Sequence, residues 1–255
     1  MNIIERLERA QEQTWWLPSS VEVHETAEYC LYQNGDTFYV VRFTPTPDRI
    51  HACLEEIVAI IGEVPALFSL FPHRHDSVVV AALCRRGFVL KQRHQARVIE
   101  VAKYKRPSSS SIQVLMVQTF DQMKQLYQLR AQSFGQVFDV SDETLRLYVK
   151  DATATKARVR QFLALDAESG QAVSQAGMSI YPDLKVAFFF AGGTITEARQ
   201  KGAYTALVAA RVAYARSVGI DYVGLFARED TSAPIVAKQG FEQCGEMHYW
   251  SLNGG

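Results

Sequence analysis

The chain has 255 residues, with 27 basic and 27 acidic side chains, and so a formal net charge of zero. Its apolar share of 48% is an ordinary globular composition, enough for one large domain or two small ones. A neutral chain argues against a dedicated nucleic-acid binder, which carries a basic excess; no apolar run reaches the length that spans a bilayer; and the scattered Cys30, Cys53, Cys84 and Cys244 read as buried thiols of a cytoplasmic protein rather than a disulfide framework.

The N-terminal run "MNIIERLERAQEQTWW" is charged and amphipathic, unlike a secretory signal. "AEYCLYQNGDTFYVVRF" reads as a hairpin with Asn34-Gly35 at its turn. "TPTPDR" leads from it to a helix, "DRIHACLEEIVAIIG", then a strand, "VPALFSLF", a helix, "DSVVVAALCRRG", and a strand, "FVLKQRHQARVIEVA". "HRH" at 73–75 has no evident third ligand, so no metal is expected there. The basic "LKQRHQAR" presents an alternate face to solvent, with RNA binding as its minor reading. "KYKRPSSSSI", residues 103–112, contributes nothing to a core and marks a boundary between domains at 1–105 and 112–255.

Beyond it come a strand, "IQVLMVQ", a helix, "FDQMKQLYQLRAQSFG", and a second helix, "SDETLRLYVKDA", with acids in its first turn. "VRQFLALD" and "QAVSQAGMSIY" flank the turn "AESG". Then follow a strand, "KVAFFFAGGTI", a helix, "GAYTALVAARVAYARSVG", a strand, "DYVGLFA", a short helix, "TSAPIVAKQG", and "FEQCGEMHYWSL", which closes the sheet. The first half follows the same grammar, with Gly87-Phe88 and Gly240-Phe241 in matching places, and this reads as an internal duplication.

One difference stands out. Only the second half has "TEARQKGAYTAL" between strand and helix. The first amides of a helix have no intrahelical partner, and they and the helix dipole attract anions. Gly202 and Ala203 leave that backbone uncovered, while Arg199 and Lys201 add positive charge. A tight turn with exposed basic residues is the alternative reading of the loop alone.

"RQKGAY" resembles the Arg/Gln-x-x-Gly-x-Gly/Ala signature of the GCN5-related N-acetyltransferases (GNATs), and "SAPIVAKQGF" resembles that family's later segment ending in Gly-Phe. The order of elements over 112–252 is similar as well. The resemblance implies an α/β (α+β) fold of tandem GNAT-like domains, each a mixed, mostly antiparallel sheet flanked by helices, the first domain a degenerate copy. It implies acetyl-CoA as donor substrate, its pyrophosphate on Arg199, Gln200, Lys201, Gly202, Ala203, Tyr204 and Thr205. Gly192, Gly193 and Thr194 would pair with the pantetheine arm and offer an N–H to the thioester oxygen. Ser232 would touch the pantetheine or cap its helix.

Two departures from the family pattern bear on catalysis. Where many GNATs carry a glutamate base this chain has "AFFFA", around Phe188, and where many carry a tyrosine acid it has Val236. Glu229 and Glu197 remain as catalytic candidates, the first at a strand's C-terminal end, the second beside the loop or simply solvated. Asp230 reads as a helix cap, and Tyr181 and His248 as possible lining of an acceptor pocket. The reading is a cytoplasmic acyl-CoA-dependent N-acyltransferase acting on a primary amine of a small molecule, with no membrane or nucleic-acid partner. A non-catalytic CoA-binding module and an aminoacyl-tRNA-dependent transferase are the alternatives.

Overall fold

The computed structural model describes residues 1–17, 21–74, 76–105, 111–137 and 140–254. By backbone contacts these form two units: Met1–Arg97, Phe226–Ala233 and Gln243–Gly255 in one, Val98–Leu225 and Pro234–Glu242 in the other. Most of the serine-rich stretch expected at the domain boundary, residues 106–110, lies outside the described residues.

In the first unit α1 (Ile3–Glu12) opens on a capping box between Asn2 and Glu5. The strands β1 (Val23–Glu25), β2 (Tyr29–Asn34) and β3 (Thr37–Phe43) run antiparallel in order. Asn34 pairs with Thr37, so the turn is made by Gly35 and Asp36, with Gly35 at φ 58°. Asn34 is thus the last ladder residue rather than part of the turn itself, because glycine is what the first loop position demands. The helix α2 (Ile50–Ile61) follows, then β4 (Ala66–Leu70), parallel to β3. Next come α3 (Ser77–Arg85), capped by the Asp76 carboxylate on the Val78 amide, and β5 (Val89–Glu100).

The C-terminal strand β11 (Glu242–Leu252) pairs antiparallel with β4, from His248↔Leu70 to Leu252↔Ala66. The sequence had assigned this run to the sheet of the second half. Alternation tells which face of a strand is apolar but not which strand lies beside it. The core of this unit is aromatic and aliphatic: Phe68 meets Phe43 and Phe88 edge-on, at 5.2 and 5.8 Å, over Leu54, Ile57 and Leu83. Burying each such side chain contributes about 1.5–3 kcal/mol.

The second unit begins with β6 (Ile112–Met116), α4 (Phe120–Phe134) and α5 (Asp142–Thr153). A capping box between Thr119 and Gln122 starts α4, and Gly135 in the left-handed conformation ends it. Then come β7 (Val159–Asp166), β8 (Ala172–Tyr181), β9 (Val186–Thr194), α6 (Ala203–Ser217), β10 (Tyr222–Arg228) and α7 (Ser232–Ala237). The turn between β7 and β8 is tied by Asp166, whose carboxylate accepts from the Glu168 and Ser169 amides. The sheet order is β10-β9-β8-β7-β6, parallel at β10–β9 and antiparallel elsewhere.

Strand alternation assigns the helices to opposite faces. Gln161 and Gln175 meet Arg130 of α4, whereas Arg160 and Phe162 meet Tyr214 of α6. Hairpin, helix, parallel strand, helix and strand therefore occur twice along the chain, once as β2–β3, α2, β4, α3, β5 and once as β8–β9, α6, β10, α7, β11.

Candidate functional site

The loop between β9 and α6 is built by backbone conformation. After a 3-10 turn at Thr196–Ala198, Arg199 is extended, and Gln200 and Gly202 both hold positive φ, 65° and 84°, on either side of Lys201. Gly202 is the N-cap of α6 and supplies no side-chain cap. The helix ladder starts with the Ala206 amide on the Gly202 carbonyl, so the amides of Ala203, Tyr204 and Thr205 have no intrahelical partner. Residues of positive φ ahead of a helix can turn successive N–H groups towards one side, which makes a concavity for an anion. The dipole of α6 adds to it. Arg199 and Lys201 are exposed, and the Arg199 Nε reaches back to the Thr194 carbonyl at 3.3 Å.

Two features of β9 prepare the strand that leads in. Its ladder with β10 runs from Val186↔Tyr222 to Phe188↔Gly224, and from Phe189 onward no pairing with β10 is found among the described residues. On the other side Gln175 pairs with Gly193 and Gly177 with Phe190, so Ala191 and Gly192 together face Ala176. This is a bulge, with Ala191 left-handed at φ 48°. It turns neighbouring glycines to opposite faces. A Cβ on Gly192 would lie 2.8 Å from the Tyr204 ring on α6, and a Cβ on Gly193 would lie 2.7 Å from the Ser133 Cβ on α4.

On the same helix as Tyr204, Arg211 is one of the fully buried side chains of the unit, its guanidinium lying 3.9 Å from the Phe189 ring centre and donating to the Gly177 carbonyl at 3.1 Å. Burial pushes the Arg211 guanidinium down to about 10. The sequence reading passed over Arg211 and Arg130, both buried among apolar helix positions. The available signal was spacing: Leu207, Arg211 and Ala215, and Met123, Leu126 and Arg130, each fall on one helical stripe.

The expected residues fall into two groups. Gly192, Gly193, Thr194, Arg199, Gln200, Lys201, Gly202, Ala203, Tyr204 and Thr205 are contiguous in the second unit, with Glu197 exposed in the 3-10 turn beside them. Glu229 and Ser232 belong by contacts to the first unit, Glu229 exposed and the Ser232 hydroxyl accepting from the Arg228 amide at 3.0 Å. Asp230, expected as a helix cap, pairs with the Arg228 guanidinium at 3.1 Å. Phe188 and Val236 are buried. Tyr181 is buried under the Arg158 guanidinium, and burial raises its hydroxyl to about 12. His248 is buried with its Nε2 3.3 Å from Glu246. His73 meets Glu8, while His75 lies outside the described residues. Among the described residues no group of His, Cys, Asp and Glu is arranged to hold a metal ion, and no helix is long and apolar enough to cross a membrane.

No protein-family model matches the chain, and no curated protein matches it significantly. Solved structures do. A GCN5-related N-acetyltransferase from Kribbella flavida superposes with a TM-score of 0.73 at 15% identity, covering 100% of this chain and 97% of that one. A GCN5-related N-acetyltransferase from Sphaerobacter thermophilus gives 0.68 at 13% identity, over 88% of this chain and 76% of its own. A tandem GNAT protein from the clavulanic acid biosynthesis pathway, determined without AcCoA, gives 0.65 at 13%, over 94% and 85%. At such identities the likeness is one of fold, and the chain has the GNAT fold in tandem.

Proposed function

We propose that this chain is an acyl-CoA-dependent N-acyltransferase, moving the acetyl group of acetyl-CoA to a primary amine of a small molecule. The observation that carries this reading is the start of α6, where left-handed Gln200 and Gly202 lead into the Ala203, Tyr204 and Thr205 amides, which have no intrahelical partner. A pyrophosphate suits such a concavity, and Arg199 and Lys201 add charge without roofing it. Beyond Phe188 the β10 side of β9 can accept an extended amide-bearing arm as an added strand. A thioester carried on that arm would lie beside Gly192–Thr194, where a backbone N–H stabilises the oxyanion that forms.

The reaction needs little more. The amine lone pair attacks the thioester carbon, the C–N bond forms, the C–S bond breaks, and the thiolate leaves. Holding the amine beside the thioester supplies much of the rate. With Phe188 and Val236 at the positions where a base and an acid often sit, the ammonium proton passes to solvent, and Glu197 and Glu229 assist modestly at most.

A non-catalytic CoA-binding module is the second reading, favoured by the same buried Phe188 and Val236. The neutral charge weighs against the aminoacyl-tRNA alternative. Calorimetry on Gly202→Asp separates the outcomes. The variant should keep its fold and lose acetyl-CoA binding, since a carboxylate at the N-cap would occupy and repel; unchanged affinity would remove the assignment of the loop. Thiol release across a panel of amines then distinguishes transferase from module: tight binding without release favours the module.

A further inference from the structure

The bulge in β9 stores strain at a residue that is not glycine. Ala191 holds φ at 48°, a left-handed conformation that is unfavourable for any residue with a Cβ. Such a conformation persists only where the surroundings over-determine it. Those surroundings meet at Gly177 of β8, which pairs with Phe190 immediately ahead of the bulge. The Phe190 ring lies 2.4 Å from the point a Gly177 Cβ would take, so only glycine fits beneath it. From α6 the Arg211 Nη1 donates to the Gly177 carbonyl at 3.1 Å, and the same guanidinium lies 3.9 Å from the Phe189 ring centre.

Arg211 is an unusual choice for that contact. It is 1% exposed, its Nε donates to the Leu207 carbonyl of its own helix at 3.1 Å, and its Nη2 is buried with no hydrogen-bond partner. The groups acting on its charge are Tyr204 and Tyr104, with no carboxylate among them. A buried cation without counter-charge is less favourable than a well-packed apolar side chain of the same size, so packing alone does not account for it. What a guanidinium can do, and an apolar side chain cannot, is bond the Gly177 carbonyl while lying on the Phe189 ring. Ala191 is thus bracketed from α6. Arg211 fastens the residues ahead of it, and the Tyr204 ring lies 2.8 Å from the point a Cβ would take on Gly192, the residue after it.

Resting on the acyltransferase reading, we propose that Arg211 is a positioning residue for the transfer. It holds Ala191 in its left-handed turn and so aims the backbone N–H offered by Gly192–Thr194, the segment proposed to meet the thioester oxygen. It acts through β9 alone, touching neither acetyl-CoA nor the amine. A displacement of about 1 Å in such a segment can cost about a hundredfold in rate. The start of α6, proposed to hold the pyrophosphate, would stay as it is.

The test uses the full chain and two variants, Arg211→Met, apolar and of similar length, and Arg211→Lys. Arg211→Met should melt within a few degrees of the wild type. With the amine that the wild type acetylates fastest, it should lower kcat by about 10–100-fold while the calorimetric Kd of acetyl-CoA stays within about threefold. Arg211→Lys keeps the charge and a donor for the Gly177 carbonyl; it should show a smaller loss of the same kind, and it serves if Arg211→Met fails to fold. Ala191→Gly added to Arg211→Met should recover part of the rate, because glycine takes positive φ unaided. Unchanged kcat in the folded variants, a loss of acetyl-CoA affinity as large as the loss of rate, or no recovery with Ala191→Gly overturns the proposal. If the wild type acetylates no amine, the transferase reading fails separately, and hydrogen exchange in the ligand-free chain decides whether Arg211 holds the bulge. Amides of residues 190–194 should then exchange about tenfold faster in Arg211→Met than in the wild type, and equal rates overturn it.

Discussion

At the scale of single residues, the loop depends on Gly202, whose φ of 84° is open to glycine and costly to other residues. Gly202→Ala should destabilise the chain by about 1–2 kcal/mol, read from urea midpoints. His94 makes an acid-side test. Burial, and then the Arg228 charge, hold its imidazole down to about 4, with Asp230 opposing and Tyr249 edge-on at 5.0 Å. The unfolded chain therefore binds more protons than the folded one between about 6.5 and 4. Stability contributed by the neutral ring is intact above that window and is lost as pH falls through it. His94→Gln should flatten the fall in melting temperature across the same window. In the proposed reaction, the free amine must supply its own lone pair. The pH profile of kcat/KM should then follow deprotonation of the acceptor, and Glu197→Gln and Glu229→Gln should each cost about tenfold or less, where a true general base costs about 10²–10⁴-fold. A larger loss with acetyl-CoA affinity intact would identify a base. The loop between β9 and α6 was legible in sequence as a strand-to-helix connection because small and basic residues interrupt two apolar runs. Arg130 and Arg211 were not, because a charge inside a helical pattern is ordinarily read as facing water.

At the scale of elements, periodicity carried the order of strands and helices, since alternation and the helical repeat differ along nearly every segment. The bulge in β9 escaped it. "AFFFAGG" reads as continuous strand, and the left-handed residue is Ala191 rather than either glycine that follows. What the glycines do is make room, one for Tyr204 and one for Ser133. Gly192→Ala should therefore push on a packed ring and cost about 1–3 kcal/mol. The capping box of α4 offers a contrast away from the bulge. The Thr119 hydroxyl accepts from the Gln122 amide at 3.3 Å, and the Gln122 side chain accepts from the Thr119 amide at 3.2 Å. Thr119→Ala should cost about 1 kcal/mol in chemical denaturation and leave acetyl-CoA affinity unchanged.

At the scale of the whole molecule, the chain repeats one arrangement of elements with different beginnings to the helix that follows each hairpin. The repeat was legible; the pairing of β11 with β4 was not, because nothing in an alternating strand names its neighbour. The two helix starts separate the copies chemically. α6 begins after left-handed Gln200 and Gly202. α2 begins at Arg49 with φ −96° and ψ −11°, no residue over 44–49 has positive φ, and the Arg49 guanidinium is engaged by Glu28 at 2.9 Å and Glu56 at 3.3 Å. Those carboxylates engage the one basic side chain at that helix start, so in the proposed reading the first copy offers an incoming phosphate less than the second. One acetyl-CoA should accordingly bind per chain. Calorimetric titration should give a stoichiometry near one for the wild type and no binding for Gly202→Asp, and hydrogen exchange should slow over residues 192–205 when acetyl-CoA is added, with residues 44–55 unchanged. Two equivalent sites, or protection confined to the first half, would remove the distinction drawn between the copies.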